Sequence, residues 1–384
     1  MLGDKQKLVL RELSQRLLSS NNLLNGSYTR LATRGLVQVS GPDSENFLQG
    51  LTTNQMTKIK PGLSGLYQTF LYPNGRVMLD SYIYPKNETS ESGKSGFIIE
   101  VDGRLVNTLL LLLRVHKLRA KIEIQDVTEE YSTFVVWGNP LNISQDGRVL
   151  YDIIKSNKTT SSSCIWAIDS RTPSLGLRLI LDKSKEVALP ESYQKVGQND
   201  YDLYRMLMGI PEGSNDFTQR VSLPLELNLD IMKGVDFMKG CYVGQELTIR
   251  THHRGMIRKR LMPVIFSKDS NLNMLEFKVD NKIELNLPAE PCAVDYLSNV
   301  SDNYKAPVSE SEGTKVRRTR QPGRVSSSLY NVGLAVMRLD VAANYQNALL
   351  NKDDDSAKSL SPLYVKNNSQ ENIYLAPLFP YWWL

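Results

Sequence analysis

Disulfide chemistry is nearly absent from this chain of 384 residues: it has three cysteines, Cys164, Cys241 and Cys292, far apart and with no CxxC pair. An odd, scattered set excludes the disulfide framework of a small secreted domain and leaves a reducing, intracellular setting. Asn-x-Ser/Thr matches such as Asn87–Thr89 then carry no weight, because glycosylation needs the secretory route. Long apolar runs are missing too. The longest, Leu105–Val115, is broken by Asn107 and Thr108 and takes in Arg114. It falls short of the ~18 apolar residues of a membrane helix and reads as a core helix, so no membrane span is expected. Charge of one sign is not in strong excess. A formal net charge of +5 is too mild to imply a nucleic-acid protein. The basic clusters Arg250–Arg260 and Arg317-Arg318-Thr319-Arg320 lack the interleaved aromatics that stack on bases, which argues against nucleic acid as a partner.

What is present is the composition of a globular chain, with 41% hydrophobic and 23% charged residues. At roughly 100–200 residues per domain, two or three domains are expected. The first 27 residues alternate Lys5, Lys7, Arg11 and Arg16 with leucines and include Ser14, Ser19 and Ser20, as a transit peptide does. Asp4 and Glu12 interrupt that pattern, and an ordinary amphipathic leading helix fits equally well.

Arg34–Ser40 alternates apolar and polar residues as a strand does, and Gly41-Pro42-Asp43 opens a helix to about Leu51. Leu63–Tyr72 and Arg76–Tyr84 flank Pro73-Asn74-Gly75, a hairpin signal because Asn-Gly supplies positive φ cheaply. Phe97–Val101, Ile122–Gln125 and Tyr131–Trp137 read as strands, and Leu105–Leu118 as a helix. Lys155–Ser163 is a Ser/Thr-rich boundary loop. Strands at Ile165–Asp169 and Leu175–Leu181 and a helix at Asp200–Met208 follow. From Leu261 onward, short strands separated by polar loops (Asn299–Ser328, Lys352–Ser361) fit a small β-barrel. Helices and strands mix without βαβ alternation, so the class is α+β with mixed or antiparallel sheets. The expected divisions are a leader at 1–27, α+β domains at 28–155 and 156–258, and a barrel at 259–384.

Chemistry concentrates between Pro224 and Arg260. Gly240 and Gly244 flank Cys241 and allow close backbone approach and a sharp turn. Gln245–Arg250 has helical composition, which places Cys241 just before a helix N-terminus. Lys239 precedes the cysteine, and Arg250, His252, His253, Arg254, Arg258, Lys259 and Arg260 follow. Both features favour thiolate, the form that ligates iron or attacks an electrophile. The alternative is a small buried hydrophobe, the usual state of a free cysteine. A hydrolytic role fits poorly, because no oriented base accompanies the thiol. Cys164, in Ser-Cys-Ile-Trp, reads as core.

Lys239-Gly240-Cys241-Tyr242-Val243-Gly244-Gln245-Glu246 resembles the K-G-C-[FY]-x-G-Q-E signature of the YgfZ-type iron–sulfur assembly proteins, relatives of the folate-dependent aminomethyltransferase of glycine cleavage. The continuation Thr248–Arg260 resembles the mitochondrial, especially fungal, branch. Arg34–Gly41 and Phe47–Thr52 resemble the family's N-terminal fingerprint, and Gly333–Arg338 its barrel. Phe70–Asp80 resembles the hairpin whose Asp sits near folate. Arg205 with Gly209-Ile210-Pro211 through Asp216 resembles the pterin-side segment, where the transferases carry a Glu.

The resemblance implies an aminomethyltransferase-like fold and a mitochondrial-matrix assembly factor without classical turnover. That factor would promote [4Fe-4S] maturation of aconitase-like and radical-SAM enzymes with A-type carriers. Cys241 would be a ligand of a cluster shared with the partner, since one thiolate is too few for a cluster. Gly240 and Gly244 would shape the loop and Lys239 and Tyr242 complete it, while Gln245 and Glu246 orient it or meet the partner. Arg250 and Arg254 would attract an acidic partner or a folate glutamate tail. The competing reading is a folate-dependent aminomethyl transferase binding tetrahydrofolate between Asp80 and Asp216. Local sequence offers duller roles for both: hairpin-end surface charge for Asp80, helix cap for Asp216.

Overall fold

The computed structural model describes residues 12, 16–18, 26–59, 65–86, 96–138, 164–187, 189, 191–270, 277–296, 320–350 and 361–383. Contacts divide the chain into two units, one of Leu18–Arg205 and Ile210–Ile257, the other of Met1–Leu17, Met206–Gly209 and Arg258–Leu384. The expected leader lies almost wholly outside the described residues, as do the boundary at 155/156, the Lys155–Ser163 loop and residues 352–360 of the last polar loop.

The first unit holds two five-stranded sheets. One is composed of β1 (Ser27–Arg30), β7 (Tyr131–Trp137), β8 (Ile165–Ile168), β9 (Leu177–Asp182) and β10 (Gln194–Lys195), in the order β10-β1-β7-β9-β8. The other is composed of β2 (Arg34–Ser40), β3 (Leu66–Leu71), β4 (Val77–Lys86), β5 (Gly96–Asp102) and β6 (Glu123–Asp126), in the order β3-β4-β5-β2-β6. The chain thus crosses between sheets twice, because β1 pairs antiparallel with β7 (Ser27 opposite Trp137) and parallel with β10. That pairing depends on residues more than a hundred positions apart, and β1 has no local signature in the sequence.

The β3–β4 hairpin turns on Asn74-Gly75. Gly75 has φ +79° and donates to Tyr72 O at 2.8 Å, and the Asn74 side chain accepts from Arg76 N at 3.2 Å. One face of this sheet carries Val37, Val39, Leu79, Ile83, Ile99 and Val101. Helix α2 (Val106–Lys117) covers it with Val106, Leu109, Leu110 and Leu113, the i, i+3, i+4, i+7 stripe of an amphipathic helix. Each such leucine contributes about 1.5–3 kcal/mol by leaving water. Helix α1 (Ser44–Gln49) caps the same core through Leu48.

The opposite face of that sheet is polar, yet it is buried as well. Tyr82, Tyr84, Glu100 and Arg34 project toward Arg178 of β9, so ion pairs join the two sheets where an oily layer is usual. Helices α3 (Gln198–Leu207) and α4 (Gln245–Arg254) complete the unit.

The second unit is a closed antiparallel barrel of β11 (Lys259–Ser267), β12 (Cys292–Tyr296), β13 (Gly323–Leu329), β14 (Val332–Arg338), β15 (Leu363–Lys366) and β16 (Asn372–Pro377), ordered β11-β14-β13-β12-β15-β16. The barrel expected beyond Leu261 is therefore present. Two details differ from expectation. Residues 323–328, expected within a polar loop, form most of β13: Val325 points into the core while Arg324 and its serines face out or lie half-buried. Helix α5 (Leu339–Leu350) interrupts the strand sequence and plugs the core with Val341 and Ala342.

Candidate functional site: an anchored loop that presents a cysteine

Cys241 lies on a run of turns just before α4 and is exposed. This rules out the buried-hydrophobe alternative. The residues around it are held firmly. Lys239 turns inward, and its Nζ donates to three carbonyls: Gln49 O (2.8 Å), Thr52 O (2.6 Å) and Asn54 O (2.8 Å). These carbonyls belong to the end of α1 and the turn after it, where a helix leaves acceptors unsatisfied and favours a cation. The ammonium also lies 4.9 Å from the Tyr242 ring centroid, a cation–π distance. Burial lowers Lys239 to about 8, with Asp236 opposing the shift.

Further bonds tie the loop to the same turn. Val243 N donates to Gly50 O at 3.1 Å and Asp236 N to Thr53 O at 3.0 Å. Thr53 Oγ1 donates to Gly234 O at 2.6 Å, and Asn54 Nδ2 to Lys233 O at 2.8 Å. The Phe47–Thr52 fingerprint and the cysteine motif, about 190 residues apart in the chain, therefore form one structural piece. Tyr242 is only 5% exposed. Gln245 accepts from Tyr242 N at 3.3 Å across the turn.

The two glycines differ. Gly244, at φ +79°, is the left-handed residue before α4, and a Cβ there would meet Tyr72 O at 2.4 Å. Gly240 has no left-handed φ, and no atom lies within 4 Å of where its Cβ would be. Close approach within the chain thus explains Gly244 and not Gly240. Glu246, Arg250 and Arg254 are exposed and make no ion pair among the described residues. Phe237 stacks on His252 at 3.6 Å, joining the loop to the last turn of α4.

No group of three or more His, Cys, Asp or Glu among the described residues could hold a metal. Cys164 and Cys292 are half-buried, and burial pushes their thiols up, that of Cys164 to about 12. Burial disfavours the thiolate at both. Cys241 alone is placed to offer a sulfur outward.

The two aspartates expected beside folate are both buried, so neither the surface-charge nor the helix-cap role holds. Asp80 (3% exposed) accepts from Gly213 N at 3.2 Å and lies 3.5 Å from Arg34 Nη1. Asp216 is sealed from solvent, paired with Arg205 and accepting from Glu212 N at 2.7 Å. Glu212, which sequence reasoning passed over although it directly follows Gly209-Ile210-Pro211, binds Arg171 (2.8 Å), Arg178 (3.0 Å) and Tyr201 (2.9 Å). Burial alone would raise its carboxyl, but Arg178 and Arg171 outweigh burial and hold it well below the ordinary range. Glu100 is likewise held down by Arg178 and Arg34 against burial. Only Arg34 Nη1 and Asp80 Oδ2 in this cluster have no hydrogen-bond partner. Asp80 therefore keeps hydrogen-bonding capacity at Oδ2, whereas the carboxylate of Asp216 is already committed.

The sheets, hairpin and barrel are those of an aminomethyltransferase-like protein. The glycine cleavage system aminomethyltransferase T from Bartonella henselae superposes with a TM-score of 0.61 over 95% of this chain and 89% of its own, at 12% identity. Residues 258–383 match the family described as CAF17, C-terminal beta-barrel domain. The protein named iron-sulfur cluster assembly factor IBA57 homolog, mitochondrial, is 36% identical in Neosartorya fischeri, covering 82% of this chain and 70% of its own. Its namesakes in Mycosarcoma maydis and Dictyostelium discoideum are each 31% identical, over 91% and 87% of this chain and 83% and 91% of theirs. The chain belongs to the IBA57 family of mitochondrial iron–sulfur cluster assembly factors.

Proposed function

We propose that the protein acts in the mitochondrial matrix by sharing an iron–sulfur cluster with an A-type carrier, Cys241 supplying a thiolate, so that [4Fe-4S] enzymes of the aconitase and radical-SAM classes mature. The observation that carries this is the pairing of an exposed Cys241 with a loop anchored by Lys239, Tyr242 and Gly244. An exposed thiol on a fixed scaffold suits ligation of a cargo whose other ligands come from elsewhere. On binding iron the thiol loses its proton to solvent and the sulfur donates the electron pair.

The test is anaerobic mixing with a cluster-loaded A-type carrier, followed by size exclusion and visible absorbance. Wild type should co-elute with the cluster chromophore and Cys241→Ser should not, while melting like wild type. Cys164→Ser should keep the complex but lose about 1 kcal/mol, because a polar hydroxyl would sit half-buried against the Phe134–Leu179 core with only Ile165 O, 3.7 Å from the present Sγ, to accept from it. A Cys241→Ser variant that still co-elutes with cluster would end the ligand assignment.

A further inference from the structure

The motif separates into residues this chain uses and residues it does not. Lys239, Tyr242, Gly244 and Gln245 all have intrachain work. The Met238 side chain, Gly240 and Cys241 have none among the described residues, although Met238 N donates to Asp236 Oδ1 at 2.8 Å. Met238 is 93% exposed, although burying a methionine is ordinarily favourable by about 1.5–3 kcal/mol. Gly240 has neither a left-handed φ nor a crowded Cβ position, the two local reasons for glycine. Among the described residues no hydrogen bond engages the peptide N–H of Gly240 or Cys241, and both residues are exposed. The one charge the motif would place on this strip, Lys239, is withdrawn onto three carbonyls. The strip is therefore uncharged, apolar at one end, thiol-bearing at the other, and bare in the middle. Through Phe237 on His252 its edge adjoins the last turn of α4, where Arg254 is exposed.

We propose that Met238–Cys241 is the seat for the cluster-bearing loop of the carrier, and that Gly240 is glycine because the partner's backbone or cluster comes where a Cβ would stand. The proposal rests on the function proposed above. The N–H groups of Gly240 and Cys241 are free to donate to thiolate or sulfide, which stabilises an anionic cluster. Met238 packs on the partner's apolar rim, and Arg250 and Arg254 face its acidic surroundings. A second copy of this chain is a poor occupant, since pairing like strips would bring these exposed arginines together.

The experiment compares full-length wild type, Gly240→Ala, Gly240→Val, Met238→Asp and Cys241→Ser, each titrated anaerobically with the holo-carrier. The Gly240 variants should melt like wild type, and their Cys241 should react with iodoacetamide at the wild-type rate. Gly240→Val should bind the holo-carrier at least about tenfold more weakly, the loss of a central contact worth about 1.4 kcal/mol or more, with Gly240→Ala between. Met238→Asp should weaken the complex as well. Wild-type affinity in Gly240→Val, with Cys241→Ser failing to bind, would overturn the seat while leaving the ligand role standing. Absence of any wild-type complex would remove both. Self-association of wild type alone that Gly240→Val abolishes would make a second copy the occupant and overturn the proposal.

Discussion

Gly244 stands against Tyr72 so closely that a Cβ on the glycine would lie 2.4 Å from the tyrosine's carbonyl oxygen. The same glycine, at φ +79°, turns the chain into α4 behind Cys241. The cysteine loop and the β3–β4 hairpin thus share a backbone contact. The hairpin's own Gly75 completes it, because a Cβ there would meet Leu247 Cβ at 2.8 Å.

Gly244→Ala should therefore lower stability by at least about 2 kcal/mol, from left-handed strain plus displacement of the hairpin. Thermal melting checks this. Gly240→Ala, with open space around it, serves as the control and should melt like wild type.

Lys239→Met keeps the aliphatic stem and removes the three bonds to Gln49, Thr52 and Asn54. Hydrogen bonds to a charged donor contribute about 1.5–3 kcal/mol each, and Thr52 and Asn54 are buried, so a loss of at least about 3 kcal/mol is expected. Hydrogen exchange should quicken in residues 49–54 and 239–243 together while the barrel is unchanged. Unchanged protection in both segments would show that the lysine does not hold them.

Arg178 bridges Glu100, Asp169 and Glu212 between the two sheets. Arg178→Met should cost about 3–5 kcal/mol, because it leaves buried carboxylates unpaired. The same cluster sets the acid limit. Glu100 and Glu212 have folded values below the ordinary 4.5, so the stability they provide is complete above that pH and declines as pH falls through their folded values. Denaturant midpoints should hold between about pH 6 and 7 and drop below about pH 4.5. The drop should shrink in a variant with Glu212→Gln.

Reduced folate tests Asp80, whose Oδ2 accepts no hydrogen bond among the described residues and has only the ion-pair contact with Arg34 at 3.5 Å. If the Asp80 cluster binds tetrahydrofolate, calorimetry should show binding that Asp80→Ala abolishes and that Asp216→Asn affects only through lower stability. Absence of heat at millimolar ligand would leave Asp80 as a structural partner of Arg34 and Gly213 N.

Much of this architecture was legible in short stretches of chain. The alternation of Arg34–Ser40 marked β2 to the residue, Asn74-Gly75 marked the hairpin, and short strands beyond Leu261 marked a barrel. Local patterning also drew attention to Cys241, since glycines, cations and a following helix are all visible within a dozen residues. Those signals are local because turn chemistry and side-chain periodicity act between near neighbours. The tertiary structure alone decided that β1 and β7 pair in one sheet while the strands between them form the other, and that Asp216 is committed to Arg205. It alone turned Lys239 inward onto carbonyls about 190 residues earlier, and left Gly240 open while crowding Gly244. A buried charge is determined by which partners the fold brings within about 3 Å, and a glycine's role by what stands opposite its missing Cβ. Neither is written in the neighbouring sequence.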